Sequence, residues 1–217
     1  MPRWVVDGQT GSVIDPRFIY LASLISLAGG VIYIRDTLLG HTAPNRVTWS
    51  LWGFLPLLAF AVERQNHVGI SSLFTLMLGL VPIAIVIASF RNPNAVWQIG
   101  RFDLVCGAIS LLGVAVWLFI DQPTIALVTF VFADVVAALP TLRKSYREPE
   151  TESGLAFAAG TTSAALTMLT LNEWTTISAL FPLAIFLTDI VLTLLVLTKL
   201  GPRLTASRQR VEGVAVS

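Results

Sequence analysis

Polar residues in this chain fall in short clusters, and the stretches between them are apolar on every face. Read at 3.6 residues per turn they show no polar stripe, as expected of helices buried all round or set in lipid. A hydrocarbon core about 30 Å thick takes roughly 20 apolar residues of helix to cross. Seven segments have that length: 17–38, 44–63, 69–90, 102–119, 123–142, 153–171 and 175–198. Only Asp121-Gln122-Pro123 divides the fourth from the fifth, and only Asn172-Glu173-Trp174 the sixth from the seventh. Turns that short make consecutive helices antiparallel neighbours. The pattern predicts an all-α integral membrane protein of seven transmembrane helices.

Composition agrees and excludes other classes. Hydrophobic residues are 55% of the 217 and charged residues 12%, about half the roughly 25% of a soluble domain. The expected partner is the lipid bilayer, and a net charge of +1 gives no reason to expect nucleic acid. Cys106 stands alone, so neither a disulfide framework nor a cysteine metal cluster is expected. His41 and His67 fall on opposite sides of the membrane with no ligand cluster beside them, so no metal is expected. With no phosphate-cradling glycine loop and no nucleophile motif, neither an enzyme nor a cofactor is expected. Both lysines, Lys144 and Lys199, sit at helix boundaries, which excludes a retinal Schiff base. The first sixteen residues contain Arg3, Asp7 and Asp15 and no apolar core, unlike a cleaved signal peptide.

The basic residues set the orientation. The N-terminal tail and the second, fourth and sixth connections hold three of them, Arg3, Arg17 and Arg64. The other three connections and the C-terminal tail hold eleven. The positive-inside rule then places the N-terminus outside and the C-terminus in the cytoplasm. Short loops and the lack of a sorting signal fit a prokaryotic cytoplasmic membrane.

The chain also repeats itself. Ile70-Ser71-Ser72-Leu73-Phe74 returns as Ile177-Ser178-Ala179-Leu180-Phe181, an offset of 107. An offset of 108 places Ser26 on Asp134, Gly29-Gly30 on Ala137-Ala138, and Arg35 on Arg143. The organisation expected is an extracytoplasmic tail (1–16), a first three-helix repeat (17–90), a connector with the fourth helix (91–122), a second repeat (123–199) and a cytoplasmic tail (200–217). The odd connector lets the second triplet enter the membrane in the same sense as the first. Parallel repeats of this kind are a transporter plan, with the site between them near mid-depth.

Residues 140–156, from Pro140-Thr141-Leu142-Arg143-Lys144 to Ser153-Gly154-Leu155-Ala156, resemble the PQ-loop signature. In that signature Pro-Gln ends a helix on the cytoplasmic side, and a basic turn leads into the next helix. Thr141 stands at the glutamine's place. Seven helices as three, one and three look like the SWEET sugar transporters and their PQ-loop relatives. Those relatives include proton-coupled amino-acid exporters, a vitamin-precursor transporter group and a sorting receptor. The resemblance implies alternating access between two triplets, with prolines as hinges.

Asp134 and Asp189 are the most informative residues. Both fall near mid-membrane, where an ionised side chain costs at least ~2.5–3.5 kcal/mol and usually faces a cavity or a partner. If the fifth and seventh helices pack together as in the resembling family, the two acids approach. One of them then tends to hold a proton, which makes a proton-coupling device or a cation site. A structural aspartate bonded to a hydroxyl or backbone carbonyl is the alternative. On the second helix, Thr48, Trp52 and Pro56 share one face. Trp52 is a candidate for stacking on a solute, whereas Trp49 fits the interfacial aromatic belt. Asn45 is either a solute ligand or a helix N-cap. Ser26 is the first-repeat counterpart of Asp134, and Ser163 is a pore-lining candidate within a small-residue stripe. Pro140 and Pro56 are the candidate hinges, because an internal proline removes a hydrogen bond and kinks the helix. The tail beyond residue 200, polar and basic, is expected to be disordered.

Two functions fit these features. One is a transporter or facilitator of a small polar solute (sugar, amino acid or vitamin-like), with protons as a candidate co-substrate. The other is a non-transporting receptor or assembly factor on the same scaffold. Either is compatible with a homo-oligomer.

Overall fold

The computed structural model describes residues 12–65, 72–93, 97–120, 122–171 and 174–215. All seven apolar segments contain a helix: α1 (Phe18–Leu38), α2 (Arg46–Gln65), α3 (Ser72–Arg91), α4 (Arg101–Leu118), α5 (Pro123–Arg147), α6 (Gly154–Leu169) and α7 (Thr176–Thr198). A 3-10 turn, Pro149–Thr151, precedes α6, and an eighth helix, α8 (Leu200–Ala215), follows α7. Among the described residues there is no strand. The N-terminal tail through Gly11, His67, Ile70-Ser71, Asp121 and Asn172-Glu173 lie outside the described residues.

Among the described residues, two helices are long and apolar enough to cross a membrane, Phe18–Leu38 and Ser178–Thr198. Both carry exposed aliphatic side chains: Leu21 and Val31 on α1, and Leu183, Leu187, Val191 and Leu194 in a row along one side of α7. Water-facing proteins rarely expose apolar surface so continuously. Local signals account for several helix ends. Asn45 Oδ1 accepts the backbone N–H groups of Val47 and Thr48 at 3.1 and 3.3 Å, so Asn45 acts as the N-cap of α2. Thr175 and Ser178 form a reciprocal capping box at the start of α7.

The structure corrects two expectations. Pro140 does not end the fifth helix. α5 runs on through it to Arg147, and Pro140 is fully buried. A proline inside a helix is held when neighbouring groups satisfy the disturbed backbone. Here the Thr48 hydroxyl of α2 donates to Ala137 O at 2.7 Å, in the turn before the proline. Lys144 and Arg147 in the last turn suit the negative end of the helix dipole. The basic segment is therefore helix, not turn. The second correction is the C-terminal tail, expected to be disordered, which forms α8. Lys199 turns the chain between α7 and α8 in the left-handed conformation (φ 51°). The buried Gly201 then lies so close to the Tyr146 carbonyl of α5 that no side chain fits there.

The neighbour relations follow a rule. In the first triplet α3 packs against both α1 and α2, while α1 and α2 meet only through side chains, Tyr33 against Trp49. In the second, α7 packs against both α5 and α6, and α5 does not touch α6. Between the triplets the contacts are crossed, α1 with α6 and α2 with α5, while α4 rests on α5 and α2. The two crossed interfaces use corresponding positions. Thr48 meets Ala137 across α2 and α5, and Ala156 meets Gly29 across α6 and α1. An offset of 108 carries Thr48 to Ala156 and Gly29 to Ala137. At Gly29 a Cβ would stand 2.8 Å from that of Ala159 and 3.1 Å from Ala156 O, so only glycine allows α1 and α6 this close.

Candidate functional site

The six helices of the two triplets line an open cavity of about 550 Å³, to which, among the described residues, α4 contributes nothing. This size suits a small solute. Shifts of 108 residues (107 between α3 and α7) map much of the lining onto itself. The corresponding pairs are Ser26 and Asp134, Trp49 and Phe157, Trp52 and Gly160, Leu78 and Ile185, Val81 and Thr188, and Pro82 and Asp189. The positions correspond, but the chemistry does not. Both carboxylates come from the second triplet, where serine and proline stand in the first, and both tryptophans come from the first.

Among the described residues, Asp134 and Asp189 are the only charged side chains in the lining. They stand on the adjacent helices α5 and α7 and line the same cavity. Among the described residues neither carboxylate accepts a hydrogen bond or pairs with a basic group. Asp189 lies against Gly160 of α6, so tightly that a Cβ there would overlap its Oδ2. The small-residue stripe of α6 thus makes room for a carboxylate as well as for a helix.

The cavity is closed at the C-terminal end of α1. Exposure along its α1 wall falls from 73% at Tyr20 and 63% at Leu24 to 0% at Tyr33. At that floor Tyr33 meets Trp49 with ring centroids 4.5 Å apart and Phe157 at 6.0 Å, and Trp49 meets Trp52 at 5.2 Å. Behind the aromatics lies a buried polar lock. Tyr33 donates its hydroxyl to Glu152 Oε2 at 2.5 Å, and Glu152 Oε1 pairs with Lys144 Nζ at 2.8 Å, with neither charged side chain exposed. Lys144 also donates to Thr151 O at 3.1 Å and to Ala43 O, so its three protons have three acceptors. Ser153 donates to Asp36 Oδ2 at 2.8 Å, and Ala43 N to Thr151 O at 2.9 Å. These contacts tie the end of α1 and the loop after it to the end of α5 and the turn after that.

The candidate residues now have places. Asp134, Asp189, Trp52, Ser26 and Pro56 line the cavity. Asn45 and Ser163 do not. Asn45 is fully buried as the cap of α2, and the Ser163 hydroxyl donates to Ala22 O at 2.7 Å, joining α6 to α1. Pro140 lies in α5 more than a turn beyond Asp134, away from the cavity wall. Sequence reasoning did not single out Tyr33, Glu152 or the role of Lys144. The signal available was a glutamate and a lysine inside the PQ-loop-like segment, read there only as loop charge. No protein-family model matches the chain, and no curated protein or solved structure matches it.

Proposed function

We propose that this chain is a seven-span membrane transporter or facilitator, a divergent relative of the PQ-loop and SWEET-like proteins. Its two helix triplets act as parallel repeats around α4, with the N-terminus outside and the C-terminus in the cytoplasm of a prokaryotic cell. A small polar solute binds between the triplets and gains alternating access to the two sides, with Asp134 and Asp189 as carriers of a coupled proton. One observation carries this reading: a solute-sized cavity between corresponding helices, with two carboxylates in its wall that have no partner among the described residues, and one end shut by an aromatic floor and a buried ion pair. A scaffold for protein contacts has no need of carboxylates facing an internal cavity, since each costs folding energy there.

In alternating access the closed end must open while the other closes. The crossed interfaces, α1 with α6 and α2 with α5, are where the triplets rock. The Tyr33–Glu152–Lys144 lock spans them at the end that has to part, and Pro56 and Pro140 supply kinks at which α2 and α5 bend. The test is uptake into proteoliposomes across a panel of sugars, amino acids and vitamin-like solutes, with and without a pH gradient. The expected result is saturable uptake of at least one solute, reduced at least tenfold by Asp134→Asn or Asp189→Asn. If no solute moves and both variants keep wild-type stability and cellular phenotype, the receptor or assembly-factor reading replaces this one.

A further inference from the structure

The chemistry of the cavity wall narrows the solute. Resting on the transport reading above, we propose that the solute is a small organic cation carried on an apolar or aromatic body.

Charge comes first. Among the described residues the wall contains two carboxylates and no lysine, arginine or histidine. A carboxylate held in an apolar pocket without a partner is costly, and a ligand cation repays that cost as no neutral solute does. An anionic solute meets only repulsion. Aromatic side chains share the wall with the acids: Asp134 and Asp189 stand on α5 and α7, and Trp52 on α2, which packs against α5. Aromatic faces attract ammonium and guanidinium groups by cation–π interaction, worth ~2 kcal/mol or more when water is excluded.

Trp49 also lines the cavity and is only 8% exposed, with its indole N–H beside the Tyr33 hydroxyl at the floor. A bare metal ion does not fit, because the walls are mostly apolar and, among the described residues, no three His, Cys, Asp or Glu side chains converge. Hard cations need more oxygen ligands than two carboxylates supply.

Two pairs of near-isosteric probes test this on the full chain in lipid nanodiscs, read by tryptophan fluorescence. They are choline against 3,3-dimethylbutanol, and phenethylamine against 2-phenylethanol. At least one cation is expected to bind 10-fold or more tighter than its neutral partner, a difference of about 1.4 kcal/mol. Asp134→Asn and Asp189→Asn should each erase most of that preference and leave binding of the neutral probe unchanged. Equal binding within both pairs overturns the cation assignment, and so does no binding of any probe at 10-millimolar concentration, on the order of the weakest useful affinity. If the variants fail to fold, the comparison within each pair on the unmodified chain decides. Labelled choline flux in proteoliposomes separates the two levels of the proposal. Binding without flux leaves the cation site standing and ends the transport reading. Saturable uptake of a neutral sugar with no cation preference does the reverse.

Discussion

Single residues decide whether the closed end of the cavity holds. Glu152 and Lys144 have no exposure, and each satisfies the other, so removing one strands a buried charge. Glu152→Gln should destabilise the protein by about 3–5 kcal/mol, read as a fall in thermal midpoint in detergent. Tyr33→Phe removes one hydrogen bond to a charged acceptor and should cost less, ~1.5–3 kcal/mol. A double variant, Lys144→Met with Glu152→Leu, should recover much of the loss, because a buried pair exchanged for apolar side chains is often neutral. If Glu152→Gln and the double variant are equally unstable, the ion pair is not what holds this end. This lock was not legible in the chain. Lys144 and Glu152 are eight residues apart and become partners only once the 3-10 turn folds the segment back, so linear reading could only count them as loop charges. Asp134 and Asp189 were legible, because a carboxylate in an apolar run is conspicuous whatever the fold. Gly160 lies between these cases. Its spacing marked a packing stripe, but its tightest contact is Asp189. Gly160→Ala should displace that carboxylate and lower solute affinity at least tenfold with little change in thermal midpoint. A fall in stability with affinity intact would mean that the glycine serves helix packing alone.

At the scale of elements, the seven apolar runs became helices within a few residues of where periodicity put them, and the exceptions are instructive. Pro140 reads as a stop because a proline removes a backbone donor and crowds the turn before it. The helix continues because α2 approaches near Ala137, and that tertiary contact is invisible locally. An internal proline costs about 3 kcal/mol relative to alanine. Pro140→Ala should therefore raise the thermal midpoint while slowing transport, if bending of α5 belongs to the cycle. A faster or unchanged transport rate would remove Pro140 from the list of hinges. The C-terminal tail was misjudged for a related reason. Its residues are polar enough to read as disordered, yet α8 packs on the ends of α5 and α7, where Gly201 admits the Tyr146 carbonyl. Gly201→Val should detach that helix and make it sensitive to limited proteolysis, with α1–α7 left intact.

For the whole molecule, the repeat was visible in the sequence as short matches at offsets of 107 and 108, but the order of packing was not. Nothing in the chain says that α3 packs against both α1 and α2, or that α1 meets α6 rather than α5. Those relations depend on where glycine and alanine let backbones approach, as at Gly29 against Ala156 and Ala159. Crossed interfaces of this kind make a two-position device plausible in mechanical terms. Each triplet stays packed through its third helix, and only the α1–α6 and α2–α5 seams have to slide. The closed seam can be fixed chemically. Ala43 and Thr151 face each other through a backbone hydrogen bond of 2.9 Å, one on each side of the lock. A chain carrying Ala43→Cys and Thr151→Cys, with the buried Cys106 replaced by alanine, should form a disulfide under mild oxidation. Flux in proteoliposomes should then stop and return on reduction, while probe binding from the open side persists. Full flux with the disulfide quantitatively formed would mean that this end does not open during transport, and the rocking of the two triplets would have to be abandoned.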